Sequence, residues 1–272
     1  MRLTTTQIQE KYNIGPETIR KWVKRGLLRR KENYKKGVPL LIDEEELLKV
    51  KRLYWNDSTR LSYKIGWNRG VFNTIDSPEK AYWLGFILAD GCLHIKDTDD
   101  YTGHFSIDIS GEDREHLYKF ANFVEAQQDI VQFTTHSITG NILAHIQLCC
   151  KETQKRLYEL GIRPRKSGKE TWVETPYPAD FIRGCYDGDG YIKKNLNSIG
   201  LVGSYELLEA VQKHFLQELN ITPKTIGKHG VIYRIEYTSL SDRQKIANYL
   251  WYDGCISLDR KQELADKIKK IC

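Results

Sequence analysis

The sequence has no long hydrophobic run. No stretch of the 272 residues approaches about 18 consecutive apolar residues, so no membrane-spanning helix is predicted. The N-terminal segment MRLTTTQIQEKYNIG lacks the apolar core of a secretion signal, and we therefore expect an intracellular protein. Hydrophobic residues make up 40% and charged residues 29% of the chain, which is ordinary for a soluble globular protein.

Cysteine is present, but without the spacing of a metal site. The six cysteines form no Cys-x-x-Cys pair and no Cys/His pattern typical of zinc. We expect them to be reduced, mostly buried, small hydrophobic residues. The seven histidines are scattered, and the sequence offers no His-Asn-His or Ser/His/Asp constellation. The chemistry of these motifs is therefore not indicated.

Negative charge is scarce in one part of the chain only. Residues 1–78 carry 17 Lys and Arg against 9 Asp and Glu, a net charge of +8, which leaves −2 for the remainder of a chain whose total is +6. A basic arm on a nearly neutral body suits a polyanionic partner for the arm. Solvated lysines would give the same excess, so charge alone does not decide between these interpretations.

The basic arm has the pattern of two short helices. The segment TTTQIQEKY predicts an amphipathic helix, and a turn at 13–15 separates it from a second helix that begins near Pro16. Apolar residues recur at helical spacing in both, namely Ile8, Tyr12, Ile19, Trp22 and Val23. The outward positions of the second helix are polar or basic: Thr18, Arg20, Lys21, Lys24 and Arg25. This order predicts a helix-turn-helix, whose second helix enters the major groove of DNA.

The segment KKGVPLLIDEEELLKV then predicts a small wing and a third helix from Asp43, with acidic residues in its first turn. Residues 1–53 resemble the excisionase and MerR-like winged-helix domains, and a small helical oligomerisation module is the alternative. Residues 54–78 have turn-forming residues every few positions and predict a linker, although their aromatic side chains favour packing on a surface.

The sequence AYWLGFILADGCLH (81–94) has a second copy, DFIRGCYDGDGYIKK (180–194). Alignment matches Gly85 with Gly184, Ala89 with Gly188, and Asp90 with Asp189. Residues four apart share one helix face, so each copy presents a smooth stripe of small residues. Two such stripes let helix backbones approach closely, which offsets the cost of a glycine within a helix. We expect these helices to pack side by side and to bring the two carboxylates together.

The flanks of the two copies repeat as well. Residues 104–124 and 197–216 each predict a strand, a turn and an amphipathic helix, and residues 144–162 and 233–251 each predict a strand and a helix. Each half therefore has the predicted order α-β-β-α-β-β-α, and the repeat length is 99 residues, from Asp90 to Asp189. A duplicated unit of this size predicts a molecule with pseudo-two-fold symmetry within one chain.

These residues resemble the LAGLIDADG homing endonucleases. WLGFILADG (83–91) and IRGCYDGDG (182–190) stand as the two motifs, and the resemblance covers roughly residues 75–270. Leu88 occupies a motif position that is acidic in the family pattern. The resemblance implies an α+β fold in which two αββαββα halves, 79–166 and 167–272, form a DNA-binding β-saddle behind the winged helix-turn-helix domain. It also implies a monomer that breaks both DNA strands across the minor groove and leaves short 3′ overhangs.

The two motif carboxylates suit divalent-metal chemistry on a phosphodiester. Mg²⁺ takes one or two carboxylates with phosphate oxygens and waters, and two ions about 4 Å apart can serve the attacking and leaving oxygens. We expect two or three divalent ions, with Mn²⁺ able to substitute. The expected metal ligands are Asp90 and Asp189 with the preceding residues Ala89 and Gly188. For a single copy, an Asp-Gly turn that merely ends a helix would be the simpler interpretation.

Basic residues near the metal would stabilise the phosphate in the transition state. By position, Lys151 is the first candidate, and Lys193, Lys194 and Lys166 follow. Arg243 or Lys245 occupies the region of the second half that is comparable with Lys151. For each of them a solvated side chain or a phosphate-positioning contact is the alternative.

The strands are expected to determine specificity, because an antiparallel ribbon fits the major groove, where all four base pairs differ. The predicted DNA-facing residues are His94, Lys96, Lys193, Asn195, Asn197, Arg234 and Glu236. A slip of one residue would reverse the faces. Two other functions stay open besides a site-specific endonuclease: a transcription regulator that uses the fold for binding only, and a maturase with intron RNA as a further partner.

Overall fold

The computed structural model describes residues 2–12, 14–24, 28, 40–54, 66–97, 101–135 and 140–271. The chain divides into two compact units, one formed by residues 1–57 with 133–140 and the other by residues 58–132 with 141–272. Within the described residues, none of the helices has the length and apolar character needed to cross a membrane.

Among its described residues, the first unit contains three helices and a two-stranded sheet. Its elements are β1 (Arg2–Thr4), α1 (Thr5–Tyr12), α2 (Pro16–Lys24), β2 (Leu41–Asp43) and α3 (Glu44–Tyr54). Strand β1 pairs antiparallel with β2, with Leu3 opposite Ile42. The sequence pattern did not predict β1, because its partner lies about forty residues away along the chain. Of the segment where the wing was predicted, between residue 35 and the helix from Asp43, residues 35–39 lie outside the described residues.

The core of this unit follows the predicted apolar stripes. Ile8 and Ile19 are fully buried, Trp22 is nearly so, and Tyr12 and Val23 pack against the same cluster. The third helix begins where the acidic run predicted it. Asp43 Oδ1 accepts hydrogen bonds from the backbone N–H groups of Glu45 (3.0 Å) and Glu46 (3.2 Å), which satisfies donors that the first turn leaves open.

The remaining described elements form two four-stranded antiparallel sheets and the helices around them, and the division between the units falls within one strand, at residues 132–133. The elements of the first half are α4 (Pro78–Asp90), β3 (Gly91–Asp97), β4 (Thr102–Ser110), α5 (Arg114–Phe123), β5 (Gln132–Thr135), β6 (Ile142–Leu148) and α6 (Lys151–Glu159). Those of the second half are α7 (Pro178–Asp189), β7 (Gly190–Ile192), β8 (Ile199–Gly203), α8 (Tyr205–Leu219), β9 (Gly227–His229), β10 (Ile232–Tyr237), α9 (Leu240–Leu250) and α10 (Asp259–Lys269). The strand orders are β3-β4-β6-β5 and β7-β8-β10-β9. The predicted α+β class with antiparallel sheets is confirmed, and α10 is an addition to the predicted element order.

Helices α4 and α7, called the motif helices from here on, pack with their backbones in close contact. Each has a proline in its first turn, and the Ser77 hydroxyl accepts a hydrogen bond from the Lys80 N–H (3.3 Å) at the start of α4. A Cβ added to Gly85 would lie 2.0 Å from the Phe181 carbonyl oxygen. A Cβ added to Gly184 would lie 2.1 Å from the Tyr82 carbonyl oxygen. Only glycine allows this approach.

Candidate active site

The two motif helices end side by side, each on an aspartate. Asp90 is the last residue of α4 and Asp189 is the last residue of α7. A Cβ added to Gly188 would lie 2.3 Å from the Ala89 Cβ and 3.4 Å from the Asp90 carboxyl carbon. The carboxylate of the first motif therefore lies against the last turn of the second helix, immediately beside the residue that carries the other carboxylate.

Both carboxylates are held where their negative charge is costly. Desolvation, and next the charge of Asp189, raises the pKa of Asp90 from 3.8 to about 6. Desolvation is also the largest cause that raises the pKa of Asp189. Both groups stand at helix C-termini, where the helix dipole favours cations over anions. The pair therefore forms a site that attracts positive charge.

A lysine approaches the end of each motif helix. The Lys166 ammonium donates a hydrogen bond to the Ala89 carbonyl, at the end of α4. The Lys261 ammonium, from α10, donates to the carbonyls of Tyr186 (2.7 Å), Asp187 (2.6 Å) and Gly190 (2.7 Å) around the end of α7. The charges of Lys166 and Lys261 lower the pKa values of both Asp90 and Asp189 against the effect of desolvation.

Lys261 is a site residue that the sequence pattern missed. Only 2% of its surface is exposed, and burial lowers its pKa from 10.5 to about 8. It lies in the segment DRKQELADKIK, where a lysine in a charged helix predicts a solvated side chain. Its function as a helix cap depends on α10 folding back onto the end of α7, a contact that no local pattern in the sequence encodes.

Asp187 has a different environment from the aspartate two positions later. It is fully buried and accepts hydrogen bonds from the Tyr82 hydroxyl (2.8 Å), the Trp251 indole N–H (3.2 Å) and the Leu258 N–H (2.7 Å). Burial is the largest cause that raises its pKa. These contacts join α7 to α4 and to the C-terminal segment. Asp187, which aligns with Leu88 of the first motif, therefore stabilises the fold.

A cavity of about 240 Å³ opens beside Asp90. Its polar lining includes Asp90, Asp108, Asp113 and Arg260, and Gly188 closes one side. The Arg260 Nε–H donates to both carboxylate oxygens of Asp113 (3.1 and 3.0 Å). The Asp108 Oδ1 lies 2.7 Å from the Nδ1 of His145. The carboxylate of the first motif therefore lines a cavity with charged side chains around it.

The other predicted catalytic lysines lie elsewhere on the second unit. Lys151 is the exposed first residue of α6. The Lys193 ammonium follows β7 and pairs with Glu236 Oε1 at 2.6 Å. The cations that act most strongly on the pKa of Asp90 are Lys261, Lys166 and Arg260. Of the predicted lysines, Lys166 is therefore the one whose contacts lie at the paired carboxylates.

The donor set fits a hard divalent cation that also takes external ligands. Two neighbouring carboxylates supply the oxygen atoms that Mg²⁺ prefers, and they repel each other without a cation. In the part of the chain that the structure describes, no cluster of three His, Cys, Asp or Glu side chains could hold a metal by itself. The carbonyls of Ala89 and Gly188 accept lysine hydrogen bonds, the latter at 3.3 Å. Phosphate oxygens and waters would complete the coordination.

The exposed sheet faces carry part of the predicted DNA-contacting set. His94 is exposed on β3 next to the buried Leu93 and stacks on His104, with 4.3 Å between ring centroids. Arg234 is exposed on β10. Lys194, Asn195 and Asn197 are exposed in the β7–β8 turn, where Asn195 Oδ1 accepts from the Asn197 N–H (3.3 Å).

In the first unit, Arg20 and Lys21 are exposed on α2, and Thr18 is half-buried. Arg25 lies outside the described residues, as do the side chains of Lys24 and Lys96.

A comparison with known protein families gives a match in the second half of the chain. Residues 176–268 match the family model described as a LAGLIDADG-like domain. That segment includes α7, Asp189 and Lys261. No curated protein matches the chain in sequence.

Several solved structures are similar in fold. Variants of the homing endonuclease I-DmoI share 17% identity with a TM-score of 0.49, covering 74% of this chain and 99% of theirs. The homing endonuclease I-WcaI bound to its DNA recognition sequence shares 14% identity with a TM-score of 0.48, covering 76% and 91%. Full-length DUF199/WhiA from Thermatoga maritima shares 16% identity with a TM-score of 0.45, covering 75% of this chain and 66% of that one.

Proposed function

We propose that this protein is a divalent-metal-dependent DNA endonuclease that breaks both strands at a long, specific site and leaves short 3′ overhangs. The observation that carries the proposal is the pair Asp90 and Asp189 at the adjoining ends of the motif helices. The LAGLIDADG-like match of residues 176–268 supports it for the second half. We propose that the two sheets belong to pseudo-symmetric halves, because both have the same strand order.

The reaction forms a bond from a water oxygen to phosphorus and breaks the bond from phosphorus to a deoxyribose oxygen. A bound Mg²⁺ or Mn²⁺ would lower the pKa of the water and neutralise charge on the phosphate. Asp90 and Asp189 would hold the cations, and one carboxylate would serve each DNA strand. Lys166 and Lys261 position these carboxylates by holding the carbonyls at the helix ends. Arg260, fixed by Asp113, adds positive charge beside Asp90.

The polar faces of the two sheets would contact the major groove on either side of the cut. His94 and Arg234 are exposed on opposite halves and can reach base edges or phosphates. Lys193 and Lys194 sit at the β7–β8 turn, where phosphate contacts would fix register. Since one chain contains both carboxylates, we propose that the protein cuts double-stranded DNA as a monomer.

We further propose that the first unit is a helix-turn-helix module that extends the DNA contact. Arg20 and Lys21 are exposed on α2, while the opposite face of that helix packs in the core. Each phosphate contact contributes about 0.9 to the slope of log affinity against log salt. The variant Arg20→Gln/Lys21→Gln should therefore flatten the slope by about 1 to 2. Lys213→Gln, on α8, should leave it unchanged. An unchanged slope in the double variant would favour the oligomerisation module, and sedimentation would then test that alternative.

A selection from a randomised plasmid library tests the proposed activity. The full chain is incubated with the library and Mg²⁺, and linearised molecules are captured by ligation at their new ends and sequenced. The proposal expects a single enriched site with staggered ends. A parallel selection for bound plasmids identifies sequences that are held but not cut. Enrichment in the bound pool alone, with Mg²⁺ and with Mn²⁺, would contradict nuclease activity and favour a DNA-binding regulator.

A further inference from the structure

We infer that Asp108, oriented by His145, is a further site residue beside Asp90, and that Val202 at the matching position beside Asp189 leaves the two ends unequal, so that one DNA strand is cut faster than the other. This inference rests on the proposed nuclease function. It concerns a pair of residues from two neighbouring strands, β4 and β6, that sequence spacing did not connect to the motif.

The strand register places Asp108 next to Asp90. Gly91 lies opposite Ile107 at the end of the β3–β4 ladder, and Asp90 and Asp108 are the residues that adjoin this last pair on the two segments. Both side chains line the 240 Å³ cavity. In the adjoining ladder, Asp108 lies opposite His145. The three residues therefore form a row across the end of the first sheet, with the cavity between its two carboxylates.

His145 contacts one oxygen of Asp108, and the other oxygen accepts a long hydrogen bond from the Ser106 hydroxyl (3.4 Å). The Asp108 Oδ1 is 2.7 Å from His145 Nδ1, and the side chain of Asp108 remains 42% exposed. His145 itself is 7% exposed, and its Nε2 is buried without a hydrogen-bond partner among the described residues. An unpaired buried polar atom costs about 1–3 kcal/mol. The contact between its Nδ1 and Asp108 explains why a histidine occupies this buried position.

The other half has different side chains in the same row. Gly190 lies opposite Leu201, which places Val202 next to Asp189. Val202 in turn lies opposite Arg234. A valine side chain cannot accept a hydrogen bond from water, and the arginine presents a positive charge where the first half has an imidazole. The two ends therefore match in their motif carboxylates and differ in the residues beside them.

The difference has a direct consequence for hydrolysis. A carboxylate fixed across a cavity from Asp90 can accept a hydrogen bond from a water molecule and hold it ready to attack the phosphate of that strand. The second end can bind a phosphate through Arg234, but the ladder position that matches Asp108 there is Val202. The carboxylate whose charge acts on Asp189, that of Glu170, is buried rather than exposed. The strand served by Asp90 should break first, and nicked DNA should accumulate before linear DNA.

Strand-resolved cleavage of the selected site tests this inference. Each strand is labelled separately, and the full chain is compared with Asp108→Asn and His145→Asn at saturating protein. We expect wild type to nick one strand first, and both variants to slow that strand at least tenfold while the other keeps its rate. Glu112→Gln, in the exposed turn after β4, serves as the control and should change neither rate. Val202→Asp should reduce the difference between the two strands.

A second measurement separates orientation from general damage to the fold. In ¹⁵N NMR spectra of the DNA-free protein, His145 should be protonated at Nδ1, and Asp108→Asn should shift that nitrogen while the melting temperature stays near that of wild type. Cleavage in which Asp108→Asn slows both strands equally, or neither, would overturn this inference alone. Absence of cleavage by wild type in every selection would overturn the proposed function, and this inference with it.

Discussion

The two motif helices share a backbone contact but bury different chemistry. Residues 81–89 of α4 are all buried, and their side chains are apolar apart from the Tyr82 hydroxyl and the Trp83 indole N–H. In α7 the buried set includes Asp180, Arg183 and Asp187. The Arg183 guanidinium donates to Asp180 (2.6 Å) and to the carbonyls of Leu250 and Ile256 (both 2.8 Å). One helix is held by apolar packing, the other by a hydrogen-bonded charge network.

This difference shows which parts of the repeat the site requires. Small residues at the helix contact and an aspartate at the helix end occur in both copies, because the geometry of the paired carboxylates depends on them. The surroundings of each helix are free to differ, because the helix contact and the end aspartates do not depend on them. The lysines follow the same division: Lys166 contacts one carbonyl at the end of α4, whereas Lys261 contacts several around α7.

The largest expected effect comes from replacing each lysine by methionine, which should lower the free energy of unfolding by different amounts at the ends of the two motif helices. Lys261→Met removes a buried cation that faces Asp187 and several carbonyls, and we expect a loss of about 3–5 kcal/mol in the free energy of unfolding. Lys166→Met removes a half-buried cation with one carbonyl contact, and we expect a loss of about 1 kcal/mol. Urea denaturation measures both. Equal losses would mean that the two caps are equivalent.

A methyl group between the motif helices tests the contact that they share. Gly184→Ala places a Cβ 2.1 Å from a backbone oxygen of α4, so the helices must separate, and we expect a loss of about 2–3 kcal/mol. Gly66→Ala is the matched control, because nothing lies within 4 Å of its added Cβ. If both variants melt together with wild type, the helices do not pack through this face.

Removing the charge of Asp90 should stabilise the metal-free protein. The unfolded chain releases this proton near pH 4 and the folded chain near pH 6, so stability from this group is complete below about pH 4 and lost as the pH rises through 6. At pH 7, Asp90→Asn should therefore raise the free energy of unfolding by about 1–3 kcal/mol, with no gain at pH 4. Asp76→Asn should act in the opposite direction, because a hydrogen bond from Lys80 lowers the pKa of Asp76. If Asp90→Asn instead lowers the free energy of unfolding at pH 7, the pKa of Asp90 is not raised by folding.

The sequence predicted what local spacing encodes. Gly85 and Gly184, four residues before small residues and five before an aspartate, are sufficient to indicate a close helix contact that ends in two carboxylates. The register of the strands is set by partners far along the chain, so the row that joins Asp90, Asp108 and His145 could not be derived from spacing. Lys261 was missed for the same reason, since its carbonyl partners lie more than seventy residues away.

Cleavage by the two aspartate variants tests the central claim most directly. On the selected site with Mg²⁺, Asp90→Asn and Asp189→Asn should each abolish double-strand cleavage while binding the DNA with nearly the affinity of wild type. Ca²⁺ in place of Mg²⁺ should likewise hold the wild-type complex uncut, because Ca²⁺ binds oxygen ligands in a looser geometry. If either variant still breaks both strands at the wild-type rate, the paired carboxylates are not the catalytic site.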